Sequence, residues 1–203
     1  TLDQVNNALD ELNHYADMTI YNFTEMTRNI GTFTAAGVDL DTSVAAIKGI
    51  ANLAAVSGSN SQQASTAMYQ LSQALAAGTV KLQDWNSVVN AGMGGQVFQD
   101  ALKETARVHG IAIDEMIEDE GSFRETLSKG WLTSDILTET LSKFTGDLNE
   151  EQLRTMGYTD EQIASIIKMG QTANDAATKV KTFTQLFDTC TVWLDSELGN
   201  YRW

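Results

Sequence analysis

The sequence predicts an all-α protein, a compact multi-helix bundle of short and medium helices, and three observations carry that expectation. Proline is absent from all 203 residues, where ordinary usage near 5% would give about ten. Proline interrupts helices, so its absence leaves every segment free to be helical. Strong helix formers (Ala, Leu, Gln, Glu, Met) are plentiful. Apolar residues also recur at three- and four-residue steps, whereas alternating strand patterns are nearly absent.

Glycine supplies the punctuation. From Leu2 to Met26 the apolar positions Leu2, Val5, Leu9, Leu12, Tyr15, Met18, Tyr21 and Met26 fall on one helical face. Gly31 and Gly37 bracket a break. "DLDTSVAAIKGIANLAAVSG" offers Asp41 or Ser43 as N-cap and Gly58 as stop. "NSQQASTAMYQLSQALAAG" predicts a helix over 61–77 with Ala64, Ala67, Met68, Leu71 and Leu75 as its buried stripe. "LQDWNSVVNAG" reads as a brief helix capped near Asp84. "GGQVFQDALKETARVHG" is longer, with Val97, Phe98, Leu102 and Val108 inward. "IDEMIEDEG", "SFRETLSKG" and "LTSDILTETLSKFTG" each close on Gly. "NEEQLRTMG" and a long segment that opens with Thr159 before Glu161 and Gln162 complete the set. Roughly seven to ten helices are expected.

Composition excludes several functions. The formal charge is −14, with 27 acidic against 13 basic residues. The basic residues are scattered, which argues against direct nucleic-acid binding, because phosphate contacts need clustered Lys and Arg. The single cysteine, Cys190, rules out an internal disulfide framework and a cysteine zinc cluster. There is no membrane span in this segment: the most apolar stretch, "AAIKGIANLAAV", is too short and carries Lys48. The chain opens on Thr and reads as a piece of a longer protein.

No catalytic, metal or cofactor site is expected. Asp114, Glu115, Glu118, Asp119 and Glu120 lack the alternating spacing and central glycine of a calcium loop. "GMGG" from Gly92 is not followed by the Lys-Ser/Thr of a phosphate loop. His14 and His109 sit without a Ser or Cys nucleophile at a suggestive spacing. Asn22-Phe23-Thr24 matches a glycosylation acceptor but lies inside an amphipathic helical pattern. The four tryptophans, Trp85, Trp131, Trp193 and Trp203, suit core or partner contact better than a ligand box.

The stretch "AMYQLSQALAAGTVKLQDWNSVVNAG" resembles the tape-measure domain of long-tailed bacteriophages and related prophages. In that family a helix of the type A-x-x-Q-L-S-Q-A-L-A precedes A-G-x-(V/L) and a short helix. Here the matching residues are Ala67, Gln70, Leu71, Ser72, Gln73, Ala74, Leu75, Gly78, Leu82 and Trp85. "GWLTSDILTETLSKFTG", with Trp131 and Leu132, and "KVKTFTQLFDT" follow in the same order. The resemblance divides the chain into an N-terminal helical segment (1–40), a tape-measure domain (41–189) and an atypical tail (190–203). It implies a structural tail component that sets tail length during assembly, lies in the virion tail lumen, and passes through the host cytoplasm during assembly. Its implied partners are tail tube and tail assembly proteins, with self-association also open. An acidic domain beside entering DNA repels it, which suits a component that vacates the tube. The alternative class is a truncated prophage-derived protein acting as a recognition module, for example one sensed by a host receptor or defence factor.

After Thr189 the sequence departs from the family's continuation, G-W-x-Q-x-W-E-I-I-x-G-D. Residues 194–203 can be encoded as CTG GAC TCA GAG TTG GGA AAT TAT CGT TGG, which shifted by one base reads W-T-Q-S-W-E-I-I-V-G. The expectation is a frameshift just before Cys190, with Trp193, Tyr201 and Trp203 then offering exposed apolar groups for partner contact. Reading the DNA across codon 189 tests this: a one-base shift should restore the motif, and its failure to do so refutes the idea.

Overall fold

The computed structural model describes the backbone of residues 1–199 and the side chains of residues 1–179. Its helices are α1 (Leu2–Met18), α2 (Phe23–Ala35), α3 (Leu40–Val56), α4 (Ser61–Ala76), α5 (Leu82–Asn90) and α6 (Gln96–Val108). After these come α7 (Ile113–Glu120), α8 (Phe123–Thr126), a 3₁₀ turn (Leu127–Lys129), α9 (Ser134–Ser142), α10 (Glu150–Thr155) and α11 (Asp160–Gly199). Among the described residues, extended pairing is limited to one isolated antiparallel bridge between Thr79 and Thr133.

Local chemistry sets the boundaries. Asn60 and Gln63 cap α4 reciprocally: the Asn60 side chain accepts from the Gln63 N–H at 2.8 Å, and the Gln63 side chain accepts from the Asn60 N–H at 2.9 Å. Asn149 and Gln152 repeat the device on α10. The cap of α3 is Asp39, not Asp41 or Ser43: its carboxylate accepts from the Thr42 N–H at 2.9 Å, while Ser43 Oγ donates back to the Asp39 carbonyl. The stretch expected as one helix to Met26 is two. Asn22 accepts from the N–H groups of Thr24 and Glu25 at 2.8 and 3.1 Å and starts α2 afresh. Gly31 then lies inside α2, which ends at Ala35 just before Gly37, and a further break falls at 19–22.

The amphipathic faces overshoot the core at their ends. Leu2 is 76% exposed, and Val5, Met18 and Val97 are also exposed; Val108 is half-buried. Within the described residues the predicted stripe of α4 is buried throughout, with Leu71 only 1% exposed.

Helix α3 is the central element and packs against α1, α2, α4, α9 and α11. Val44, Ile47, Ile50 and Leu53 face neighbours on several sides, and small residues between them allow close approach. At Gly49 a Cβ would collide with the Leu141 carbonyl of α9. Just past the same helix end, a Cβ at Gly170 of α11 would sit 2.7 Å from the Lys143 carbonyl oxygen. The end of α9 is therefore held between two helices that give it room only by lacking side chains.

Polar groups fix the same junction. Asn52 of α3 is fully buried; it accepts from Tyr15 Oη at 2.6 Å and donates to the Phe144 carbonyl at 2.9 Å. Asn174 of α11 lies 3.4 Å from it. One turn earlier, Lys48 Nζ bridges Glu11 and Asp147, each at 2.7 Å. A continuous apolar core runs from Ala8 of α1 to Ala177 of α11, and a smaller cluster of Leu153, Tyr158, Ile163 and Ile166 seats α10 on the start of α11.

Truncating Leu71 to Ala is expected to cost about 2–5 kcal/mol, as large-to-small core changes do. Chemical denaturation measures it; a loss under about 0.5 kcal/mol would move Leu71 from core to surface.

Candidate functional site

The two sequence motifs converge on one joint. Gly78 ends α4 with φ of +86°, a left-handed turn that suits glycine. The chain then lies antiparallel to the Trp131–Thr133 stretch. Val80 N–H donates to the Leu132 carbonyl at 2.9 Å, and Ser134 N–H donates to the Gly78 carbonyl at 3.3 Å. Ser134 Oγ also donates to the Leu75 carbonyl at 3.3 Å.

Beneath this joint lies an aromatic row. The Trp85 ring centroid is 5.6 Å from Phe98 and 5.1 Å from Phe123, and Phe123 is 5.8 Å from Trp131. Trp131 Nε1–H donates to Thr126 Oγ1 at 2.9 Å, so its polar atom is satisfied inside the fold. Leu71, Leu75, Trp85, Trp131 and Leu132 are buried, Gln70 and Leu82 are half-buried, and Gly78 is exposed. The buried members of this set, Trp85 and Trp131 above all, spend their surfaces on packing inside the fold. The side chain of Trp193, and Tyr201 and Trp203 altogether, lie outside the described residues.

A second polar cluster ties α6, α9 and the α10–α11 turn. Lys143 Nζ, buried at the end of α9, pairs with Glu104 at 2.9 Å and lies 4.4 Å from the Tyr158 ring centroid. Glu139 accepts from Tyr158 Oη at 2.6 Å and contacts His109 Nε2 at 2.6 Å. Burial lowers the Lys143 pKa, against the opposing pull of Glu104. At Lys48 burial also disfavours the cation, but hydrogen bonds to Asp147 and Glu11 outweigh it and raise the pKa. These are pairings that hold helices together. None sets a base against a nucleophile.

The rejected sites have structural occupations. Asp114 receives a two-point ion pair from Arg107 at 2.7 Å, and Glu120 pairs with Lys129 at 2.7 Å. His14 is exposed on α1, remote in sequence and element from His109. Asn22, of the glycosylation-like triplet, is the α2 cap. Among the described residues no group of three or more His, Cys, Asp or Glu is placed to hold a metal, and no helix is long and apolar enough to cross a membrane.

Sequence reasoning passed over Lys48, Asn52, Glu139, Lys143 and Tyr158. A signal was present for the first two: a lysine and an asparagine one turn apart in the most apolar stretch need buried partners.

A family model described as "Tape measure protein" matches residues 1–194. The chain belongs to the tape measure protein family. It is a bacteriophage tail component of structural type. The match includes the N-terminal helices, ahead of the motif-bearing part, and continues past Thr189. No curated protein and no solved structure matches the chain.

Three buried tyrosines, Tyr15, Tyr21 and Tyr158, predict a fold sensitive to alkali. Burial pushes the Tyr21 phenol to about 12 and holds Tyr15 and Tyr158 above the ordinary value of 10.0. Below about pH 10 both folded and unfolded chains carry neutral phenols, and stability is unaffected. Above it the unfolded chain ionises first, so each such tyrosine withdraws up to ~1.4 kcal/mol per pH unit until its folded pKa is reached. Denaturation midpoints should fall between about pH 10 and 12, and Tyr21→Phe should reduce the fall. A flat midpoint over that range would contradict the burial.

Proposed function

We propose that this domain is a structural element of tail-length determination and tail assembly, with no catalytic role. The observation that carries this reading is the convergence of motif residues on a packing joint, where Trp131 Nε1–H and the Val80 and Ser134 N–H groups are taken up by partners inside the fold. The acidic surface supports it too, since a component of the tail lumen that must give way to DNA gains from repelling phosphate. In this reading residues 41–189 form the tape-measure domain, 1–40 a leading helical segment and 190–203 an atypical tail. The partners are tail tube and assembly proteins met first in the host cytoplasm, with self-association as a further contact. Neither nucleic acid nor a cofactor is bound.

The test is genetic and metric. Helical residues inserted in the parent gene, outside the domain, should lengthen the tail by about 1.5 Å each as measured by electron microscopy. Replacing Trp85 and Trp131 together by Ala should unseat the joint and lower the yield of complete tails. Unchanged tail length after insertion refutes length determination. Normal assembly of the double substitution refutes a role for the folded domain.

A further inference from the structure

We propose that the groove between α3 and α9 is the docking site for a basic amphipathic helix of a second polypeptide. The proposal rests on the assembly reading above and names the chemistry of the partner. The groove has a volume of about 610 Å³ and lies along the packed pair α3 and α9. One wall is a face of α9, where exposed Asp135, buried Thr138 and half-buried Glu139 and Ser142 follow at the spacing of a single helical face. The other is the first half of α3, with Asp41, Thr42 and Ala45. Small side chains line both, so a third helix can approach closely along the trough. Val38, Leu148 and Met156 add apolar lining, and Met156 is 38% exposed, an apolar anchor point.

Charge decides the occupant. Asp39, Asp41, Asp135 and Glu139 line the groove, and no Lys or Arg is among the described residues that do. Two of the four are engaged: Asp39 caps α3, and Glu139 holds Tyr158 and His109. Asp41 and Asp135, one on each wall, are exposed and make no ion pair among the described residues. Elsewhere the acidic surface is partly neutralised, as at Arg107–Asp114 and Lys129–Glu120. A helix with small or apolar residues toward the floor and Lys or Arg at its flanks meets both walls. Its basic stems lie over Ala45 and Val38 while their heads reach the carboxylates. Anchors at i, i+3, i+4 and i+7 are the usual grammar of a helix in a groove.

The probe is a fluorescent amphipathic peptide of leucine, alanine and lysine, with a glutamate-for-lysine counterpart. Anisotropy should show the lysine peptide binding and the glutamate peptide not. D41K/D135K should weaken binding at least about tenfold. E115K/E118K on α7 makes the same change in net charge away from the groove and should leave affinity within about twofold. Ala45→Trp should block the trough with its charges intact, and circular dichroism checks that each variant is folded. No binding, or equal loss in the α7 control, overturns the proposal. So does a dimer of the chain that D41K/D135K dissolves, because the occupant is then a second copy. If peptide binding fails while insertions in the parent gene still lengthen the tail, the groove proposal falls and the assembly reading stands.

Discussion

The structure hangs on the buried amide of Asn52. Its single side chain meets α1 through Tyr15, the turn that follows α9 through the Phe144 carbonyl, and α11 through Asn174. The Phe144 carbonyl lies outside regular structure, where a buried backbone acceptor needs a partner from elsewhere in the fold. Asn52 satisfies it in the interior, where water cannot. Remove the amide and a phenol and a carbonyl are stranded together, each at a cost of about 1–3 kcal/mol. The glycines at 49 and 170 follow from this arrangement. They bring the two flanking backbones near enough for the amide to reach across.

Around that point the molecule uses charge in two ways. Inside, Lys48 and Lys143 act as struts, each drawn in by carboxylates and set near a tyrosine ring. Such pairs add little net stability, because desolvation offsets most of their attraction, but they fix which helices meet. Outside, the excess of carboxylates is spread over short helices and turns. The chain thus combines an interior specified by a few polar contacts with a formal net charge of −14. The α3–α9 groove is the place where that charge is also given shape.

How much of this was legible in the sequence depended on the range of the interaction. The helical class followed from local rules, and so did the α4 stripe, because one face of one helix decides it. The split at Asn22 was missed because an unbroken apolar spacing from Leu2 to Met26 outweighed one capping residue. The exposure of Val97 was missed for the opposite reason: periodicity marks a face but does not say where the neighbouring helix ends. The motif residues Gly78, Trp85 and Trp131 were visible one by one. Their meeting was not, since it joins positions some fifty residues apart through backbone groups that carry no sequence signature. Lys48 and Asn52 stood in plain view, but their partners on α1, on α11 and in the turn after α9 depend on the tertiary fold.

The bridge between Thr79 and Thr133 has a mechanical consequence. By fastening the exit of α4 to the entrance of α9, it turns everything between into a closed loop. Tension applied to the two ends of this part of the chain passes from α4 through the bridge into α9, and α5 to α8 are left off the load path. The hydrogen bonds Val80 to Leu132 and Ser134 to Gly78 carry the strain first. The chain can then be pulled lengthwise while the lobe built on Trp85 and Phe123 keeps its shape.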